Sequence, residues 1–174
     1  MLKVDKKQIG SEIINIKEVK SWLRVTYDDD DALITSLIVR SRELVEEYLN
    51  ISIVDTEITL TATARKTLIL PFTNINTPVE IVRIRDLDGN NVPYTYNHFE
   101  VSFEPTTWSP TQPESPEYVE TITHYVVSSN YEGLKLPLLE IIAYLYENRG
   151  DVINYDNLLS HNKYLEQFRN KIWI

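Results

Sequence analysis

The chain has 174 residues, 43% of them hydrophobic, which is enough to bury the core of one domain. Its formal net charge is -9, whereas nucleic-acid-binding domains usually carry a basic surface. The lack of cysteine excludes disulfides and thiol chemistry, and it fits a reducing cytoplasm. The N-terminus has no apolar signal-peptide region, and no stretch approaches the roughly 18 apolar residues of a membrane span. We therefore expect a protein made in the cytoplasm and without a membrane partner.

The first predicted segment, residues 1–54, is a helical hairpin. Asn15 and Glu18 have the spacing of a capping box, which predicts that a helix begins after Asn15. The next residues place one apolar stripe on this helix, formed by Ile16, Val19, Trp22 and Leu23. A second helix is expected to open at the aspartates of 28–31 and to end at Asn50.

The second predicted segment, residues 55–133, is an acidic antiparallel β insert. Alternating apolar and threonine residues indicate a half-buried strand at 58–64. Further strands are predicted at 67–70, 79–85, 92–96, 99–103 and 118–127, with a turn at 88–90. Four prolines predict an extended loop at 104–117. The segment holds eleven acidic and four basic side chains, so its surface should repel phosphate.

The third predicted segment, residues 134–174, returns to helix. Residues 136–150 are apolar on nearly every face, with Pro137 in the first turn and Gly150 as a left-handed stop. Such a helix must be covered on all sides, by its own chain or by neighbouring subunits. A final amphipathic helix is expected from Asn157, followed by an apolar end at 172–174. The predicted fold class is α+β, a small helical bundle (hairpin plus two C-terminal helices) with an inserted antiparallel β region, one domain overall.

No residue pattern in the sequence indicates catalysis, a cofactor or a metal. The aspartates of 28–31 lack calcium-loop spacing, and we interpret them as carboxylates capping a helix N-terminus. The three histidines do not form a metal-binding motif, and His98 and His124 are expected to have cross-strand structural roles. Carboxylate pairs that could serve a glycosidase have no fixed separation; they are Glu100 with Glu104 and Glu117 with Glu120.

Four motifs in order resemble the head–tail connector family (head-completion adaptors) of tailed bacteriophages. They are NIKEVKSWLRVTYDDDDALITSLIVRSRELVEEYLN at 15–50, LILPFTNINTPVEIVRIRDLDGNNVPY at 68–94, LPLLEIIAYLYENRGD at 136–151 and FRNKIWI at 168–174. The helix ending in YENR is the most specific of them. Two departures from the family pattern are the long proline-rich loop at 104–117 and the turn at 130–133, which has glycine only at Gly133.

The resemblance implies a structural virion protein of the neck, between capsid and tail, rather than an enzyme. Such connectors assemble as a twelvefold homo-oligomeric ring beneath the portal protein. The ring extends the DNA channel and holds the next neck (stopper) or tail protein, while genomic DNA passes without sequence-specific binding. Three sets of residues become candidates: for portal docking Leu165, Phe168, Arg169, Ile172, Trp173 and Ile174; for subunit contact Glu147 and Arg149; for channel-facing acids Glu100, Glu104, Glu114 and Glu117.

Two alternative functions stay open at the level of sequence. One is another neck or packaging protein, namely a stopper, a tail-completion protein or a small terminase subunit. The last must bind DNA, and the chain lacks the basic patch for it. The other is an acidic carbohydrate-active enzyme or glycan-binding module, which would need paired carboxylates in a cleft.

Overall fold

The computed structural model describes residues 2–64, 67–73, 79–85, 89–97, 99–103, 119–127 and 131–168. The chain divides into two compact units. The helical unit is built from residues within 11–54 and 130–172, and the β unit from residues within 1–10 and 55–129. Both helices and antiparallel sheets are present, so the predicted α+β class is confirmed.

The helical unit contains four α-helices and two short 3-10 helices among the described residues. The α-helices are α1 (Ile16–Leu23), α2 (Asp31–Leu49), α3 (Lys135–Glu147) and α4 (Tyr155–Ser160). The 3-10 helices are Glu132–Leu134 and Glu166–Phe168.

The first two helices begin and end for local reasons. The predicted capping box is confirmed, since Asn15 Oδ1 accepts from Glu18 N at 3.0 Å and Asn15 N donates to the Glu18 carboxylate at 2.8 Å. Arg24 and Asn50 follow α1 and α2 in the left-handed conformation, with φ of 58° and 54°. Asn50 therefore terminates α2 as predicted, because asparagine tolerates this conformation better than most residues.

One apolar core holds the helical unit together. From α3, Leu138, Ile141, Ile142 and Leu145 are buried in this core with residues of α1 and α2. Two apolar side chains of the same helix stay exposed, Leu136 (41%) and Tyr144 (43%). A part of the all-round apolar helix is thus left uncovered by its own unit, as the sequence analysis allowed.

A buried ionic network crosses this unit, and the sequence analysis did not predict it. Arg42 Nη1 donates to the Glu46 carboxylate at 2.8 Å, and Arg42 Nε donates to Glu12 at 3.0 Å. The second Glu46 oxygen accepts from the backbone N–H of Ile53 at 2.7 Å. The network connects α2 to the segment before α1 through Glu12 and to the segment after α2 through Ile53. Each buried charge in it has a hydrogen-bond partner, which offsets the cost of removing that charge from water.

In the described part of the β unit there are seven strands, arranged in two antiparallel sheets. The strands are β1 (Leu2–Gln8), β2 (Thr56–Ala64), β3 (Thr67–Ile69), β4 (Glu80–Arg85), β5 (Tyr94–Asn97), β6 (Glu100–Phe103) and β7 (Val119–Val127). The four-stranded sheet has the order β1-β2-β7-β4, and the three-stranded sheet has the order β3-β6-β5. All the described pairings are antiparallel, as the sequence predicted.

The alternation of apolar and polar residues along β2 decides which face of this strand is buried. Ile58, Leu60 and Ala62 of β2 enter the core, whereas Thr59 and Thr61 are only partly buried. The core is completed by residues of both sheets, and the Tyr125 hydroxyl donates to Pro71 O at 2.7 Å. Burial raises the pKa of the Tyr125 phenol far above its ordinary value.

Four local predictions need correction. Residues 2–8, placed in the N-terminal helical segment, form strand β1, which is held mainly by its backbone ladder with β2. Trp22 is 47% exposed and so leaves the predicted core stripe of α1. Helix α3 ends at Glu147 with Asn148 as its C-cap, while Gly150 (φ 102°) lies in the following turn. The strand predicted at 92–96 is β5, which starts at Tyr94.

The last predicted helix is also shorter than expected. Helix α4 begins at Tyr155, because Asn154 Oδ1 caps it by accepting from Asn157 N at 3.0 Å. It ends at Ser160, and Asn162 then accepts from Tyr164 N at 3.2 Å, a local bond that competes with helix continuation. None of the described helices is both long enough and apolar enough to cross a membrane.

Candidate assembly surface of the helical unit

A surface groove lies along α1 and α3 of the helical unit. Its volume is about 840 Å³, and its lining residues are Asn15, Lys17, Glu18, Ser21, Trp22, Arg24 and Leu139. The exposed Trp22 ring and the half-buried Leu139 supply its apolar surface. Large exposed apolar side chains next to charged ones are typical of a surface that binds another macromolecule.

The groove also carries an excess of available positive charge. Glu18 is already engaged, since its carboxylate accepts from Asn15 N and lies 3.9 Å from Lys135 Nζ. Among the described residues, Lys17 and Arg24 have no acidic partner. An occupant with an apolar side chain and carboxylates would therefore match the groove.

The aspartates at the start of α2 bind side chains instead of capping the helix. The N-cap residue Asp30 makes no side-chain cap bond, so the predicted capping role is wrong. Lys20 Nζ lies 2.6 Å from Asp28 and 2.7 Å from Asp31. These contacts lower the pKa of Asp28 and raise the pKa of Lys20. The carboxylates of Asp28 and Asp31 fix the connection between α1 and α2, because the ammonium group of Lys20 lies within hydrogen-bond distance of both.

Asp30 forms a second cluster with the end of α3. Its Oδ2 accepts from the Tyr146 hydroxyl and, at 3.3 Å, from Arg149 Nη1, while Tyr27 Oη lies 3.2 Å from Tyr146 Oη. The hydrogen bond from Tyr146 is the main cause that lowers the pKa of Asp30, and Arg149 adds to it. The same bond raises the pKa of Tyr146.

The two subunit-contact candidates therefore differ in their surroundings. Arg149 is engaged within its own unit, by Asp30 and by stacking 4.7 Å from the Tyr146 ring centroid. Glu147 is exposed, and the described residues offer it no partner. Three residues beyond Arg149, the Val152 side chain is fully exposed.

Two of the six portal-docking candidates lie in the described residues. Leu165 is fully buried in the helical core, and Phe168 packs edge-on against Tyr131 with ring centroids 6.2 Å apart. Gly133 permits this contact, because a Cβ at that position would meet the Phe168 ring at 2.9 Å. Burial raises the pKa of Tyr131 to about 12. The other four candidates, Arg169, Ile172, Trp173 and Ile174, lie outside the described residues.

Of the four acids predicted to face a channel, only Glu100 is described. It is partly buried at the start of β6, where it pairs with Ile69 of β3 and Asn97 of β5. Glu104, Glu114 and Glu117 lie outside the described residues, as do the loop at 104–117, Asp88 and His98. Each of the two carboxylate pairs considered for a glycosidase therefore has one member outside the described residues, Glu104 or Glu117.

His124 has the cross-strand role that the sequence predicted. Its Nε2 lies 2.6 Å from Glu57 Oε1 on the neighbouring strand, and Lys7 of β1 lies 3.8 Å from the same carboxylate. The three side chains form a row across β1, β2 and β7. Among the described residues no group of three histidines, cysteines or acids is arranged to hold a metal ion.

The groove was not predicted from the sequence, although several of its lining residues belong to a helix that was predicted. Trp22 was assigned to the core because it lies close to the stripe of Val19 and Leu23 on the helical wheel. The available signal was Glu18, one helical turn before Trp22 on the same side of α1, because a charged side chain is rarely buried without a partner.

An α+β chain whose helical unit exposes an apolar, charged groove has the features of a structural protein that binds other macromolecules. A family model described as head completion protein matches residues 12–152. The chain belongs to the head completion protein family. This confirms the predicted family, the head-completion adaptors.

Solved structures with the same fold come from gene transfer agent (GTA) particles. One is the neck of an empty GTA particle computed with C6 symmetry, with a TM-score of 0.65, 13% identity and coverage of 98% of this chain and 97% of the other. Another is the neck of a native GTA particle computed with C12 symmetry, with a TM-score of 0.61, 12% identity and the same coverage. A third belongs to the virion of a native GTA particle, with a TM-score of 0.59, 15% identity and coverage of 97% of both chains. No curated protein sequence matches the chain.

Proposed function

We propose that this protein forms a homo-oligomeric ring of twelve copies under the portal, where it extends the DNA channel and joins the capsid to the next neck or tail component. The observation that carries the proposal is the family match over residues 12–152. The resemblance to a neck computed with C12 symmetry supports twelve copies. The chain would act without catalysis, as a small helical bundle with an inserted β region.

The uncovered surface of α3 supports a ring in which neighbours complete each other. Leu136 and Tyr144 are exposed on a helix that buries Leu138, Ile141, Ile142 and Leu145 in the core of its own unit. Cyclic rings use heterologous interfaces, so two different surfaces of one chain meet at every contact. Glu147 is available for such a contact, whereas Arg149 supports it indirectly by fixing the end of α3 to Asp30.

We assign portal docking to the residues after Phe168. Leu165 and Phe168 are engaged in the helical core, so they anchor the segment 169–174 instead of entering the portal. Arg169, Ile172, Trp173 and Ile174 combine charge and large apolar side chains, which is typical of an interface.

Truncation after Phe168 tests this assignment without disturbing the core contact with Tyr131. The chain of residues 1–168 should keep its circular dichroism spectrum and lose binding to cognate portal rings in a sedimentation assay. Phe168→Ala in the full-length chain is the matched control, which loosens the anchor but keeps residues 169–174. Portal binding by the truncated chain at full affinity would refute the assignment.

The acids of the β insert are proposed to line the channel. The segment between Arg85 and Lys135 holds no lysine or arginine, so DNA sliding past it would not be gripped. An electron cryomicroscopy map of the assembled ring measures this directly: Glu100, Glu104, Glu114 and Glu117 should face the lumen. A neutral or basic lumen would exclude the idea.

Ring assembly and DNA binding separate the leading function from its alternatives. Mixed with cognate portal rings, the full-length chain should form a ring visible by electron microscopy. A gel shift with duplex DNA at low salt should show no binding, whereas a small terminase subunit would bind. Failure to form any ring on the portal would refute the adaptor function.

A further inference from the structure

We propose that Val152 of one copy inserts into the groove between α1 and α3 of the next copy, with Glu147 and Asp151 facing Lys17 and Arg24 across the contact. This inference deepens the proposed function and rests on the ring it assumes. It names the two surfaces that would meet at each subunit contact.

The first surface is the loop after α3, residues 148–154. Val152 has a relative exposure of 104%, so its apolar side chain touches almost nothing in its own chain. The loop turns sharply, since Asp151 N donates to Asn148 O at 3.1 Å and Gly150 adopts a φ of 102°. A side chain other than glycine would be strained at Gly150, so the turn that projects Val152 depends on this residue.

The charge around Val152 is negative. Glu147 and Asp151 are exposed, and neither has an ion-pair partner among the described residues. The neighbouring cation, Arg149, lies 3.3 Å from Asp30 and stacks on Tyr146, so its charge is engaged inside the unit. The end of α3 and the loop after it therefore present one apolar side chain, Val152, and two available carboxylates.

The second surface is the groove, and it offers the opposite arrangement. Trp22 and Leu139 form an apolar wall, and Lys17 and Arg24 are two cations without acidic partners in the described part of the chain. The groove has room for a valine side chain and the residues that flank it. It is not filled by its own loop, because Val152 is fully exposed and does not line it.

A second copy of this chain is the occupant that these observations favour. One chain carries both complementary surfaces. The loop supplies an apolar side chain with carboxylates nearby, and the groove supplies an apolar wall with cations nearby. Two different complementary patches on the same subunit generate a head-to-tail contact, which closes into a ring when the rotation permits. Burial of Val152 against Trp22 would supply the attraction, and the charge pairs would set the orientation.

Charge reversal tests the contact in the full-length chain. The groove variant carries Lys17→Glu and Arg24→Glu, and the loop variant carries Glu147→Lys and Asp151→Lys. Alone, each variant places like charges across every contact and should lower ring assembly on cognate portal rings by at least about tenfold. An equimolar mixture pairs each reversed surface with a complementary one and should restore assembly.

Restoration by mixing is the decisive outcome, because two misfolded variants would not rescue each other. A control pair reverses exposed charges elsewhere on the unit, Glu47→Lys with Lys163→Glu, and should assemble like the wild type. Assembly of both reversed variants at the wild-type level would overturn the contact. Failure of the mixture to assemble would also overturn it.

Disulfide trapping gives an independent measurement, since the native chain has no cysteine. Ser21 lines the groove, so the double variant Ser21→Cys with Val152→Cys should form a ladder of oligomers under oxidising conditions on the portal. Ala32→Cys with Val152→Cys is the control, because Ala32 is exposed on α2 outside the groove, and it should give no ladder. Only monomers, or cross-links equal to the control, would refute the contact.

The two hypotheses fail in distinguishable ways. A wild-type ring without the Ser21–Val152 cross-link would leave the adaptor function standing and refute this contact. If the wild type forms no ring on the portal, the proposed function is refuted and this contact with it.

Discussion

The helical unit and the β unit are held together by different interactions. In the helical unit, side chains connect the elements: an apolar core, the Glu12–Arg42–Glu46 network and the clusters around Lys20 and Asp30. In the β unit, backbone ladders connect the strands, and β1 pairs with β2 over seven residues although only one of its side chains is partly buried. Single side-chain changes should therefore matter more in the helical unit than in the β unit.

The largest effect is expected from Glu46→Ala in the buried network. The change leaves Arg42 without one of its carboxylates and Ile53 N–H without an acceptor, both out of water. Removing one partner of a buried ion pair costs about 3–5 kcal/mol. Urea unfolding followed by far-ultraviolet circular dichroism measures the loss.

The adjacent Glu47→Ala is the matched control for this change. Glu47 is exposed on the same turn of α2, so its replacement should alter the free energy of unfolding by less than about 0.5 kcal/mol. Equal effects of the two substitutions would show that the network does not stabilise the unit.

A smaller effect is expected from Tyr125→Phe in the β unit. The ring keeps its place in the core, and only the hydroxyl that donates to Pro71 O is removed. An unsatisfied buried carbonyl costs about 1–2 kcal/mol. The same unfolding measurement applies, and a loss as large as that of Glu46→Ala would contradict the contrast between the two units.

The smallest effect, and the one that depends on pH, is expected from Asp30→Asn. Because Tyr146 and Arg149 lower the pKa of Asp30 in the folded state, its carboxylate stabilises the fold at neutral pH. That stabilisation is lost as the pH falls through the lowered pKa, below about pH 4.

Thermal unfolding at neutral and at acid pH measures this dependence. Asp30→Asn should have a lower Tm than the wild type at pH 7, and this difference should shrink as the pH falls below about 4. Asp29→Asn, which changes an exposed neighbour, should match the wild type at both values. If the difference in Tm between the wild type and Asp30→Asn grew on acidification, the ionised carboxylate of Asp30 would not be the stabilising form.

Features that depend on neighbouring residues were predictable from the sequence. The capping box at Asn15, the end of α2 at Asn50 and the alternation of β2 all depend on side chains a few positions apart. The family was also visible, because its motifs lie in order along the chain.

Features that depend on distant residues required the tertiary structure. The sequence could not show that the aspartates of 28–31 would bind Lys20 and Tyr146, since a carboxylate at a helix N-terminus has a good local alternative in capping. Strand β1 escaped detection because a lysine-rich edge strand lacks the alternation of a half-buried one.

The sequence by itself determined the class of the fold, the position of most helices and strands, and the family, because local periodicity and capping act within a few residues. The tertiary structure decided which charges are engaged and which are available. Arg149 is used within its own unit, whereas Lys17, Arg24, Glu147 and Asp151 are exposed around apolar residues. Only the packing of α1 against α3 could show this, because it brings residues more than a hundred positions apart to one surface.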